Sequence, residues 1–344
     1  MSALRDLLER MLNGTDLDED EAEELLVSLT DTQLAPAMGG ALLAALRAKG
    51  VRAAEVRGFA RAMRSLARRP ELSPGAPLVD MVGTGGDASG SFNLSTGAAL
   101  LAAAAGVRVV KHGNRSISSR CGSADIVEAL GLGLPLDEQA AGECLEASGF
   151  TFLFAPHFHP AMKAIAPVRQ ALGVRTIFNI LGPLTNPAEP PYHLIGAYDL
   201  DVAALIADAL AGLPIERAYV VHGEPGWDEA TPVGPFTLFD VMPGRVERGV
   251  RDPAEFGIRR CAPQDLQGGD AAYNAAHLRE VLSGRDRGPH RDALVLGAAL
   301  VLEMTGDEST PIAAAERAAA AIDSGAAQRV LAAIAAFGER RDVR

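Results

Sequence analysis

The chain changes character at a proline-rich break. Before it, apolar residues recur at helical spacing: Leu4, Leu7, Leu8, Met11 and Leu12 form one stripe. Asp18–Ser28 opens with an acidic turn before Leu25, Leu26 and Val27, and Met38–Ala48 and Glu55–Ser65 continue the pattern, with Gly50 as a stop. Pro70–Pro77 reads as a linker. Beyond it, short apolar runs alternate with helical ones. Strands are predicted at Leu78–Val82, Val107–Val110, Phe150–Phe154, His193–Gly196 and Arg217–His222. Helices are predicted at 96–105, Ser123–Leu130, Asp137–Ala147, Pro160–Leu172, Asp201–Ala211, Asp292–Met304, Ile312–Ser324 and Ala327–Phe337, with a loop over Gly182–Pro191. That alternation predicts an α/β fold with a mostly parallel sheet, whose ligands sit beyond the strand C-terminal ends.

A length of 344 residues exceeds what one core usually supports, so two domains, or one with a satellite, are expected. Aromatic residues make up only 5% of the chain, which leaves Leu, Val, Ile and Ala to fill the core. A formal net charge of -12 repels nucleic acid, and would repel a polyphosphate unless metal and local basic groups compensate. Cys121, Cys144 and Cys261 show no paired framework and read as reduced thiols of a cytoplasmic protein. The first ten residues lack the apolar region of a signal peptide, and Ala98–Gly106 is too short to span a membrane. Neither nucleic acid nor membrane is therefore an expected partner.

Four motifs carry chemistry. Gly83-Thr84-Gly85-Gly86-Asp87 follows the first strand directly, and its N–H groups can converge on phosphate oxygens or simply make a tight turn. Phe92-Asn93-Leu94-Ser95-Thr96 places an amide and two hydroxyls before a helix, either as an anion site in which Ser95 reaches a metal or as an ordinary cap. Lys111-His112-Gly113-Asn114-Arg115 leaves the second strand as a basic patch and runs through Ser116, Ser118, Ser119 and Arg120 to Gly122-Ser123-Ala124-Asp125. Asp228 and Glu229 follow a strand and a glycine turn, where adjacent carboxylates on a loop can bind magnesium or form a solvated acidic turn. A candidate pocket wall follows from His157, His159, Pro160, Met162, Lys163 and Arg169, whose guanidinium suits a planar carboxylate. Phe178–Pro187 is rigid enough for either a binding wall or a hinge.

In their order, these segments resemble the anthranilate phosphoribosyltransferase family. The resemblance runs through GTGGD at 83–87, FNLST at 92–96, KHGNR at 111–115, GSAD at 122–125, HPAMK at 159–163, VR at 168–169, RTIFNILGPLTNP at 175–187 and the pair Asp228-Glu229. It implies a small all-helical domain, residues 1–70 rejoined by about 171–190, and a large α/β domain, residues 75–170 and 191–344, of the nucleoside phosphorylase and phosphoribosyltransferase kind. It implies that Gly83, Gly85, Gly86, Asp87, Asn93, Ser95, Thr96, Lys111, His112, Gly113 and Ser119 surround phosphoribosyl pyrophosphate (PRPP). Asn114, His159, Arg169 and Gly182 would line the anthranilate side, with Lys111, Asn114 and Arg169 the catalytic candidates. Ser95, Asp228 and Glu229 would contact two Mg2+ ions. A homodimer through the helical domain and a place in tryptophan biosynthesis are also implied. Trp227, Ala230, Arg120-Cys121 and Gly297 depart from the family's usual residues without removing an expected ligand. A pyrimidine nucleoside phosphorylase and a non-enzymatic binding relative are the rival readings. Arg169 with the intact KHGNR and GPLTNP segments counts against the first, and the net charge of -12 with Arg169, Asp228 and Glu229 counts against the second.

Overall fold

Buried parallel strands need apolar side chains on both faces, and the five short apolar runs supply them. In a computed structural model describing residues 2–116 and 120–342, these runs become β1 (Leu78–Gly83), β2 (Arg108–Gly113), β3 (Phe150–Phe154), β4 (Tyr192–Gly196) and β5 (Arg217–Gly223). Two strands absent from the sequence reading, β6 (Phe236–Met242) and β7 (Arg245–Arg251), complete a seven-stranded sheet of order β3-β2-β1-β4-β5-β6-β7. The first five pair in parallel, and β6 and β7 add antiparallel to β5 and to each other. The edge strand β7 is largely exposed and rich in arginine, a composition that discourages pairing with another chain.

Four helices, Ser2–Leu12, Glu19–Leu29, Pro36–Lys49 and Ala53–Ser65, precede the sheet. The second is fixed at its start by a reciprocal capping box: Asp18 accepts from the Glu21 N–H while Glu21 accepts from the Asp18 N–H. Their buried Leu25, Leu26, Leu42, Leu43, Val56 and Phe59 share one core with Ile165, Ile177, Phe178, Leu181 and Leu184. That core continues over the helix Leu200–Leu210 onto one face of the sheet, through Ile195, Val220 and Phe239. The side chains packed on this core with the N-terminal helices include Met162, Ile165 and Val168, upstream of the expected 171–190. The other sheet face packs on the helices Leu94–Ala104, Pro289–Met304 and Pro311–Asp323.

One predicted helix divides. Pro160–Lys163 is a single 3-10 turn, and Ala166–Leu172 is a separate α-helix. Pro167 stands in the first turn of the second, where its missing N–H costs nothing. No disulfide joins the three cysteines, and burial pushes each thiol up to about 11, away from the reactive thiolate. No helix of the described residues is long and apolar enough to cross a membrane.

Candidate active site

Strand order reverses at β1, where β2 lies on one side and β4 on the other. In open α/β sheets this switch point opens a crevice beyond the strand carboxyl ends. Both neighbouring strands end there on glycine, with Gly83 and Gly196 in register. The loop after β5 folds back through the Gly223 N–H, which donates to the Trp227 carbonyl at 2.9 Å, and so lays Asp228 across both glycines. A Cβ at Gly196 would overlap the Asp228 carbonyl oxygen, and one at Gly83 would strike its carboxylate. Only glycine lets the acidic loop approach so closely.

The cluster closes by hydrogen bonds. The Gly85 N–H donates to Asp228 Oδ2 at 2.6 Å, and the Asp228 N–H donates to Asp87 Oδ2 at 3.3 Å. The Ser95 N–H, in the first turn of Leu94–Ala104, donates to Glu229 Oε1 at 3.2 Å, where a helix start favours negative charge. Lys111 Nζ donates to Ser95 Oγ at 3.2 Å and to the Met81 carbonyl. Gly85 and Gly86 have φ of 67° and 79°, and Arg175 Nη2 donates to the Gly86 carbonyl at 2.9 Å with its guanidinium over the Tyr198 ring. Thus Gly83, Gly85, Gly86, Asp87, Ser95, Lys111, Asp228 and Glu229 share one site.

This site carries more negative charge than it can hold ionised. Burial first, then the charge of Asp87, pushes the Asp228 carboxyl up to about 7. Burial, then Asp228, holds Glu229 well above the usual carboxylate range. Burial pushes Lys111 down, against the pull of Asp80, Glu229 and Asp228. Such a set of hard oxygen donors, with Ser95 Oγ beside it, fits a divalent cation of the magnesium kind, which favours the ionised carboxylates.

A second group stands behind the first. The His112 N–H donates to Asp80 Oδ1 at 3.2 Å, and its Nδ1 lies 3.1 Å from the Gly182 carbonyl. The His112 and His159 rings meet edge to face at 5.1 Å. Burial pushes His112 down to about 3 and His159 to about 4, so both are neutral near pH 7. Asn186 Nδ2 donates to Asp80 Oδ2 at 2.9 Å and to the Val110 carbonyl at 2.8 Å, tying the 182–187 segment to β1 and β2. Arg169 lies over the Phe178 ring at 4.7 Å, and burial lowers its pKa.

Other expected residues are placed differently. Arg115 is paired with Asp125 and Glu128, and His112 is neutral, so the basic run offers less free charge than its composition suggests. Asn93 uses its amide for structure, donating to the Cys121 carbonyl at 3.2 Å and accepting from Asn274 Nδ2 at 2.8 Å. Thr96 is buried in the helix, Gly113 ends β2, and the Asn114 carbonyl accepts from the Ala124 N–H at 3.2 Å. Ser119 lies outside the described residues. The sequence reading missed Asp80, Asn186 and Arg175. Asp80 had a signal, because a carboxylate inside an apolar strand requires a buried partner.

Fold and site together define an α/β protein of the glycosyl transferase class. Residues 5–67 match the glycosyl transferase family helical bundle domain, and residues 75–328 match the a/b domain of the same family. The chain is 46% identical over 338 residues to the anthranilate phosphoribosyltransferase of Desulforudis audaxviator, covering 98% of this chain and 97% of that one. It resembles the crystal structure of the Thermus thermophilus anthranilate phosphoribosyltransferase at a TM-score of 0.90 and 42% identity, over 97% and 99% of the two chains. The Saccharomyces cerevisiae anthranilate phosphoribosyltransferase in complex with PRPP and Mg also matches at 0.90, with 26% identity over 98% of each chain. The chain belongs to the anthranilate phosphoribosyltransferase family.

Proposed function

We propose that the chain transfers the 5-phosphoribosyl group of PRPP to the amine of anthranilate, releasing diphosphate and N-(5-phosphoribosyl)anthranilate for tryptophan biosynthesis. The observation that carries this reading is the meeting of glycine turn, Lys111 and acidic pair at the switch point, in a chain of this family. Asp228, Glu229 and Ser95 would hold Mg2+, as two ions with the diphosphate, and the metal supplies charge neutralisation as that group leaves.

The chain's own residues do the rest. The Gly83–Asp87 turn, whose glycines let the diphosphate approach the backbone closely, and the Lys111 ammonium hold that group and stabilise the negative charge it gains. Arg169 and Asn114 hold anthranilate, and the gain comes from orientation. Arg169 suits the carboxylate because its guanidinium is half-buried and already oriented by Phe178. His112 and His159, depressed to about 3 and 4, are too weakly basic to take a proton near pH 7. The aromatic amine is itself neutral there and attacks without prior deprotonation.

Exposed Leu12 and Val27 on the helical segment support a homodimer formed through it. Sedimentation at a single mass of one chain would reject that dimer. The three reduced thiols support a cytoplasmic setting. The test of function is consumption of fluorescent anthranilate on addition of PRPP, with and without Mg2+, beside a reaction of thymidine with phosphate. Mg2+-dependent loss of anthranilate fluorescence alone is the expected result. Turnover of thymidine alone would assign a nucleoside phosphorylase instead.

A further inference from the structure

Away from the carboxylate pair, three side chains from separate stretches of the chain converge. His277 stands in the helix Ala271–Leu282, Asp286 in the loop that follows, and His290 in the first turn of Pro289–Met304. One ligand atom from each lies within 4.8 Å of the other two. His290 Nδ1 lies 3.7 Å from Asp286 Oδ2, and the other carboxylate oxygen accepts the Gly288 N–H at 2.7 Å, which orients the group. We infer that His277, Asp286 and His290 form a binding site for a divalent transition metal of the zinc class, distinct from the magnesium site.

The donor set selects the ion. Two imidazoles and one carboxylate suit zinc, cobalt or nickel, whereas magnesium prefers oxygen alone. Zinc bonds of about 2.0–2.2 Å to nitrogen and oxygen put tetrahedral ligands roughly 3.4 Å apart, so a small contraction of the Asp286 loop closes the site. All three residues are partly exposed, which leaves a fourth position to water. The His290 and His277 rings also lie close, with centroids 6.0 Å apart, so their nitrogens can reach one ion. Stacking on Tyr273 and Phe92 fixes the planes of His277 and His290 without using their nitrogens. Arg285 is paired with Glu280, and Arg291 with Asp323, so these two do not compete for Asp286. Because Phe92 directly precedes Asn93, a metal here would brace the segment leading to the PRPP-side helix.

The test is titration of chelator-treated protein with Co2+, followed by visible absorption in saturating Mg2+. The expected result is one equivalent of histidine-ligated Co2+ per chain, displaced by Zn2+ and unaffected by more Mg2+. His277→Ala and Asp286→Asn, each checked for folding by circular dichroism, should weaken binding at least tenfold, and the double variant should abolish it. Wild-type Co2+ affinity in folded double variant, or no histidine-ligated spectrum in wild type, would overturn the assignment.

Discussion

Asn186→Ala removes a group that joins three parts of the site floor. Its amide donates to Asp80 Oδ2 and the Val110 carbonyl, and its oxygen accepts from the Ala188 N–H at 2.9 Å. Asn186 and Asp80 are fully buried, so water cannot replace these bonds without entering the core. Stranding buried polar groups costs about 1–3 kcal/mol each, and partial relaxation of the loop puts the total near 3–5 kcal/mol. Part of that cost depends on pH. Burial pushes Asp80 up to about 6 even with Asn186 lowering it, and losing Asn186 raises it further. A raised carboxyl is protonated in the folded state at low pH, and its penalty develops as pH rises from the unfolded value near 3.9 to the folded value, above which it is complete. If Asp80 rises by one unit, the variant's deficit grows by about 1.4 kcal/mol between pH 5.5 and pH 8. Urea unfolding followed by circular dichroism at both pH values measures this. A loss under about 1 kcal/mol, or a deficit equal at the two pH values, would refute the role given to the Asp80–Asn186 pair.

Three further outcomes are expected. Arg169→Ala should raise the anthranilate KM roughly 10- to 100-fold, the loss of a charge-assisted hydrogen-bond pair, with a smaller change in kcat; steady-state kinetics with an unchanged KM would contradict it. Gly196→Ala should push Asp228 off the switch point and lower turnover by about 100-fold in a protein that still folds, so near-normal kcat would argue against the packing described. His193 is fully buried and held down to about 3, so its neutrality stabilises the fold above the unfolded value near 6.5 and is lost as pH falls towards 3. Between pH 7.5 and pH 5, wild type should therefore lose about 2 kcal/mol more than His193→Gln, and parallel stability curves would exclude this.

The parallel strands were legible because burial on both faces forces continuous apolar runs, as in Phe150–Phe154. β7 was not, since Arg245–Arg251 alternates charge with small apolar residues and lies on an exposed edge. Its one signal was Pro243-Gly244, a turn between two strand-like runs. The helix Ala271–Leu282 was missed although Asp270 caps it through the Tyr273 N–H, because Asn274 and His277 interrupt its apolar stripe. The meeting of Gly83, Lys111, Asp228 and Glu229 was foreshadowed by glycine and charge standing in or just beyond the ends of apolar strands, where they have few structural uses. The bond between Asp80 and Asn186 spans 106 positions, and no local spacing encodes it. Nor does sequence show that Asn93 and Arg115 have partners within the fold.

The most direct test is PRPP affinity measured with and without Mg2+, in wild type and in a variant carrying Asp228→Asn with Glu229→Gln. Wild type should bind PRPP at least about tenfold more tightly with the metal, roughly 1.4 kcal/mol, while the variant should be indifferent to it. A variant that keeps the full Mg2+ enhancement would show that the buried carboxylates at the switch point do not hold the metal.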